Sequence, residues 1–157
     1  MEGTYPLPEA QLDRFLLKIL MDYPSLKDEN RIVDRYTRNV IPSVNRIVTK
    51  NQLLQLQKLT RDVPIAEDIK KRAIKIVTST RAESEHIEYG ASPRASIGLI
   101  LASKARALIK GRNYVSKEDI DTMAFPILRH RIILTFESER KGMTTDQVIS
   151  EILKNVR

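Results

Sequence analysis

Gly90-Ala91-Ser92-Pro93-Arg94-Ala95-Ser96 is the stretch on which the fold turns. Gly90 offers the positive φ that a chain reversal needs, Ser92 is a strong N-cap, and Pro93 suits the first helical position. Together they predict a helix from Pro93 to Lys110, stopped by Gly111 and anchored by an apolar stripe of Ile97, Leu101, Ala105 and Leu108. Arg94 falls in the first turn, where the helix dipole favours acids, so its placement asks for a compensating anion. Backbone N–H groups at a helix start and a planar guanidinium suit a phosphate. A capped helix whose arginine pairs with a surface carboxylate explains the same residues.

Working upstream, the period of Ile69, Ala73, Ile76 and Val77 predicts a core-facing helix from about Ala66 to Thr80, and Arg81 to Tyr89 reads as a polar, acidic linker. Thr49-Lys50-Asn51-Gln52 is a capping box opening a helix whose Leu53, Leu56 and Leu59 should pack inward before Val63-Pro64. Ser25-Leu26-Lys27-Asp28 starts another helix, reaching about Thr37 with Ile32 and Tyr36 on one face; Asn39 to Val48 reads as a loop. Pro8 to Phe15 forms a short proline-started helix after an extended beginning, and Phe15 to Tyr23 is a β-prone run ended by Pro24. A lone strand needs a partner, either in another copy of the chain or in a sheet built by other residues.

Downstream, Ser116 to Asp119 caps a helix through Ile120, Met123 and Ala124 to Ile127, disturbed by Pro126. Arg129 to Glu139 suits both helix and strand, and the balance favours helix. Gly142 breaks the chain, and Thr144 to Gln147 cap a last helix bearing Val148, Ile149, Ile152 and Leu153.

With 157 residues, five glycines, 5% aromatics and 30% charged residues, the composition is that of a mainly helical single unit with an extended N-terminal arm. Cysteine is absent, which excludes disulfide and thiol chemistry and suits a reducing, cytoplasmic setting. No apolar run approaches a bilayer span. The net charge of +7 invites a nucleic-acid reading, but basic residues are interspersed with acids and lack aromatic interleaving. His86 and His130 are far apart without a second ligand at i+3 or i+4, so no metal site is expected. Glu83, Glu85 and Glu88 look like a solvated linker; neither a Gly-x-Ser-x-Gly elbow nor a Gly-x-x-x-x-Gly-Lys-Ser/Thr loop occurs.

Three segments resemble the C-terminal part of MoxR-family AAA+ ATPases: Glu2 to Phe15, with Leu12-Asp13-Arg14-Phe15 at its end; Gly90-Ala91-Ser92-Pro93-Arg94-Ala95; and Ala124 to Ile132. The likeness covers nearly the whole chain. It implies a mainly α fold, a helical AAA+ lid over residues 25–157, preceded at 1–24 by the arginine-finger helix and last strand of the ATPase core. Arg14 is similar to the arginine finger that reaches a neighbouring subunit's ATP, and Arg94 to the sensor-2 arginine, acting on its own site or a neighbour's. Ala91, Ser92 and Pro93 would line the nucleotide beside Arg94. Both roles suit guanidinium chemistry, since phosphoryl transfer spreads charge over several oxygens.

The family's Walker A, Walker B and sensor-1 elements would lie before Met1, so the resemblance implies a chain that begins inside the ATPase domain and does not hydrolyse ATP alone. It further implies ATP and Mg in the full-length protein, neither bound tightly by this segment. Partners would be other subunits of a homo-oligomeric, hexameric ring and client proteins, including von Willebrand A domain proteins, with chaperone-like remodelling or metal-cofactor insertion as the activity. Two alternatives stand beside it: a stand-alone basic helical nucleic-acid-binding module, and a structural protein-interaction bundle.

Overall fold

Residues 5, 7–38 and 43–156 are described by the structure, a computed structural model. Capping chemistry sets most helix starts. Ser25, Thr49, Ser92, Ser116, Thr135 and Thr144 each accept a hydrogen bond from a backbone N–H in the first turn, opening α2 (Leu26–Tyr36), α3 (Lys50–Asp62), α5 (Pro93–Ile109), α6 (Lys117–Leu128), α7 (Phe136–Arg140) and α8 (Thr145–Asn155). The other helices are α1 (Glu9–Leu12) and α4 (Glu67–Ser79). At the end of α5 the N–H groups of Gly111 and Arg112 return to the carbonyls of Leu108 and Ala107, a Schellman stop permitted by the Gly111 φ of 72°.

The core forms where α5 lies against α6 and α4, with α8 closing on α4 and α6. Ala73, Ile76 and Val77 from α4, Leu99 from α5, Ile120, Ala124, Ile127 and Leu128 from α6, and Val148 and Ile149 from α8 are all buried. The buried face of α5 differs from the expected stripe. It consists of Ala95, Gly98, Leu99, Ala102, Ser103 and Ala107, whereas Ile97 is 61% exposed. The helix is apolar on several sides, so period alone could not choose between them. Small residues form the seam because they let α6 approach closely, with Gly98 directly under Ile127 and Leu16.

Three other expectations change. Residues 81–89 are not merely a linker: Ile87–Tyr89 form β1, which pairs antiparallel with β2 (Ile133–Leu134), Ile87 opposite Leu134. The region 129–139, read as helix, is therefore divided between β2 and the short α7, because Ile132 and Leu134 bury their side chains beside β1. Leu53, Leu56 and Leu59 of α3 do not pack inward but stay about half exposed, since α3 lies on the outside of the bundle, mainly along α5. No residue of α2 is buried. Of the expected loop at 39–48, residues 39–42 lie outside the described residues, as do 1–4 and 6 of the extended beginning.

The anticipated strand over Phe15 to Tyr23 is absent. Residues 17–25 run without regular structure, and Lys18 ties them to the end of α6. The Lys18 N–H donates to the Pro126 carbonyl at 2.8 Å, one of the orphan carbonyls in the last turn of α6, and Arg129 Nη1 donates to the Lys18 carbonyl at 3.1 Å.

Candidate functional site

Of the expected site residues, Ser92 and Arg94 at the start of α5 meet Asp13 of the N-terminal arm, with Ala91 and Pro93 beside them, while Arg14 follows Asp13 in the chain and makes no side-chain hydrogen bond to them. The turn that leads into α5 is built by close packing. Gly90 does not have a positive φ, contrary to the expectation; a Cβ there would lie 2.3 Å from the Thr80 carbonyl oxygen. That approach lets the Ala91 N–H donate to the buried Thr80 Oγ1 at 3.0 Å, while Arg81 Nε donates to the Ala91 carbonyl at 2.7 Å. Ala91 is buried; Pro93 and Arg94 face solvent.

The compensating anion for Arg94 belongs to the chain itself. Asp13 Oδ2 accepts from Arg94 Nη1 at 3.0 Å, the Ser92 hydroxyl donates to both Asp13 oxygens at 2.9 Å, and Arg131 Nε donates to Oδ1 at 3.1 Å. A carboxylate thus sits at the α5 N-terminus, where the dipole favours it. Burial pushes the Asp13 carboxyl up, but the hydrogen bonds from Arg94, Ser92 and Arg131 outweigh it and hold it below the usual carboxylate range.

The arginines around Asp13 are used differently. Arg131 is almost fully buried, and all its N–H groups have acceptors: besides Asp13 Oδ1, Nη1 reaches the carbonyls of Leu16 and Ile127, and Nη2 those of Asp13 and Phe15. Arg94 is 61% exposed, and among the described residues its side chain bonds Asp13 alone. Arg14, next in the chain after Asp13, is exposed, and its side chain has no ion-pair partner among the described residues.

No local pattern in the sequence singles out Asp13 or Arg131. Asp13 lies within Leu-Asp-Arg-Phe and Arg131 within Arg-His-Arg, yet nothing short-range links residues separated by 118 positions. His130 completes the arm contact, its Nε2 donating to the Phe15 carbonyl at 3.0 Å, while its buried Nδ1 has no partner among the described residues. Burial pushes the imidazole below its ordinary value, with Arg131 and Lys18 adding to the effect, although the bond to Phe15 and the Asp13 charge act the other way. A cleft of about 480 Å³ lies beside this contact, lined by Asp13, Lys18, Tyr89, Ser92, Arg129 and His130; neither Arg14 nor Arg94 lines it.

A family profile described as "AAA lid domain" matches residues 79–152, which contain the α5 start and Arg131. The whole chain aligns with a protein named Chaperone MoxR1 from Mycobacterium tuberculosis, 35% identical over 99% of this chain and 43% of that protein. The chain fits the C-terminal part of a MoxR-family AAA+ protein. The uncharacterised YeaC of Bacillus subtilis is 37% identical over 99% of the chain and 49% of its own length. A crystal structure of a candidate ATPase from Cytophaga hutchinsonii superposes with a TM-score of 0.93 at 41% identity, over 99% of this chain and 50% of that one. The chain thus spans about half the length of the relatives it matches.

The described residues include no group of three or more His, Asp or Glu side chains that could hold a metal ion. None of their helices is long and apolar enough to cross a membrane.

Proposed function

We propose that this chain is the arginine-finger and lid portion of an ATP-hydrolysing MoxR-family machine, with residues 1–24 closing the ATPase core and residues 25–157 forming the lid. Arg14 serves a neighbouring subunit's ATP in a homo-oligomeric, hexameric ring, and Arg94 contacts the γ-phosphate as sensor 2, with Ala91, Ser92 and Pro93 around it. The observation that carries this reading is an asymmetry. Of the arginines at the Asp13 seam, the buried one has no N–H left over, while Arg94 is exposed with one contact and Arg14 is exposed without an acid among the described residues. Guanidiniums presented this way suit the spread charge of a transferring phosphoryl group.

Within this reading the Asp13–Arg94 pair is an exchangeable contact: the Arg94 guanidinium is exposed, Asp13 keeps Ser92 and Arg131 when Arg94 leaves, and the phosphate competes for a cation already near it. The lid then moves as a rigid body with nucleotide state. Remodelling of client proteins, metal-cofactor insertion and von Willebrand A domain partners belong to the same proposal, as does a cytoplasmic location. The nucleic-acid alternative loses ground because Arg72, Arg106, Arg112, Arg129 and Arg131 are engaged with internal acids and are not arrayed on a surface.

The test is steady-state ATPase of the complete protein carrying Arg14→Ala or Arg94→Ala. Arg14→Ala is expected to lower kcat about 10³-fold or more with ATP binding nearly intact. Turnover within twofold of wild type in both variants would overturn the proposal.

A further inference from the structure

We infer that Arg131 is a positioning residue for Arg14: it grips the peptide on both sides of that arginine and ties it to the lid through Asp13. The inference rests on the reading of Arg14 as an ATP-directed finger and adds a residue to which no role in that reading belongs. Arg131 Nη2 donates to the carbonyls of Asp13 at 3.1 Å and Phe15 at 2.6 Å, the residues flanking Arg14. Nη1 holds the next carbonyl, that of Leu16, at 3.2 Å, and Nε holds the Asp13 side chain. Ser92 and Arg94 also hold the Asp13 side chain, His130 bonds the Phe15 carbonyl and the Lys18 N–H that of Pro126, but no other described side chain bonds the carbonyls on both sides of Arg14. The arm itself is a four-residue helix followed by irregular chain, and the N–H groups of Arg14 and Phe15 bond within it, to Gln11 and Leu12.

The planar fork is what makes the grip directional. Its five N–H groups leave in fixed directions, so two nearby carbonyls and a carboxylate can be satisfied only with the Arg14 backbone in one orientation. Lysine keeps the charge and loses this. Since Asp13 also receives Arg94, the same clasp places both exposed guanidiniums on one body with the start of α5. A lid rotation then carries the finger with it, and a misplacement of the finger by about 1 Å is enough to cost on the order of 100-fold in rate.

The experiment is a double-mutant cycle in the complete ATPase: wild type, Arg131→Lys, Arg14→Ala and the combination, with kcat and KM for Mg-ATP. Arg131→Lys is expected to lower kcat about 10- to 100-fold with KM within twofold. In the Arg14→Ala background it should lower kcat no further, because a residue that acts through Arg14 has nothing left to act on. A kcat within twofold of wild type for Arg131→Lys, or losses that multiply in the combination, would overturn the inference while leaving the finger assignment standing. Unchanged turnover in Arg14→Ala alone would instead remove the reading beneath it.

Should Arg131→Lys fail to fold, Asp13→Asn carries the same cycle, run in an Arg94→Ala background so that the Asp13–Arg94 pair contributes nothing. Hydrogen exchange supplies the structural readout. The Lys18 amide should exchange faster in either variant while amides in the middle of α5 keep their protection; unchanged protection at Lys18 would count against the clasp.

Discussion

Gly90→Ala separates a glycine needed for space from one needed for conformation. The added Cβ would stand 2.3 Å from the Thr80 oxygen and 2.6 Å from its carbonyl carbon, both backbone atoms that cannot swing aside. Ordinary carbon–oxygen contact begins at about 3.3 Å, so the 80–81 and 90–91 segments must part by about 1 Å. Overpacking of that kind costs about 1–3 kcal/mol. Parting them also stretches the buried bond from the Ala91 N–H to Thr80 Oγ1, which adds on the order of 1 kcal/mol or more. The sum, about 2–4 kcal/mol, corresponds to a drop in Tm of about 5–15 °C for a chain of this size. Gly111 has a φ of 72° and no atom within 4 Å of where a methyl would sit, so Gly111→Ala meets only conformational strain of about 1 kcal/mol. Thermal and urea unfolding of the two variants side by side is the assay. A Gly90→Ala protein within about 0.5 kcal/mol of wild type, or less perturbed than Gly111→Ala, would refute the packing argument.

Two further perturbations follow from buried charges. Asp119 is fully buried and held by Arg112, Ser116 and Arg106; burial pushes its carboxyl up, yet these donors win and hold it far below the usual range. Asp119→Ala removes the buried acceptor shared by Arg106, Arg112 and the Ser116 N–H, Arg106 keeping Glu118, and should cost about 2–3 kcal/mol in urea unfolding, with a cost under about 1 kcal/mol counting against the arrangement. His130 tests the arm by pH. Its folded-state value is depressed, so the stability it provides is present above the ordinary imidazole value of about 6.5 and is lost as pH falls from there through the folded value. Protonation would put an N–H at the buried, unpartnered Nδ1. Protection of the Lys18 amide, corrected for the intrinsic pH dependence of exchange, should therefore fall between pH 7.5 and 5 more than in His130→Gln; equal profiles would contradict this.

What can be read from the sequence is whatever is set within a few residues. Thr49 and Gln52, Ser92 and Pro93, Ser116 and Asp119, Thr144 and Gln147 are helix-start chemistry acting over three positions at most, and those starts are legible. Ile76 and Val77 are legible as core because α4 has one apolar face. α5 has several, so its buried side is set by the shape of α6 and not by its own period. β1 and β2 are too short to carry a pattern, and each is made a strand by the other across about 45 residues of sequence. The Asp13–Arg131 clasp is illegible for the same reason. The run from Phe15 to Tyr23 has strand composition, but among the described residues the bonds it makes beyond the arm go to Pro126 and to residues 129–131 and not to another strand, so propensity alone misassigns it.

The most direct test of the central claim, that Arg14 acts on a neighbouring subunit's ATP, is subunit mixing in the complete protein. Arg14→Ala subunits, which retain an intact pocket, are combined with subunits whose phosphate-binding loop has been inactivated but whose Arg14 is present. ATPase activity well above the sum of the two separate preparations is the expected result. Activity that never exceeds that sum across mixing ratios, with mixed oligomers verified by mass, would contradict the account.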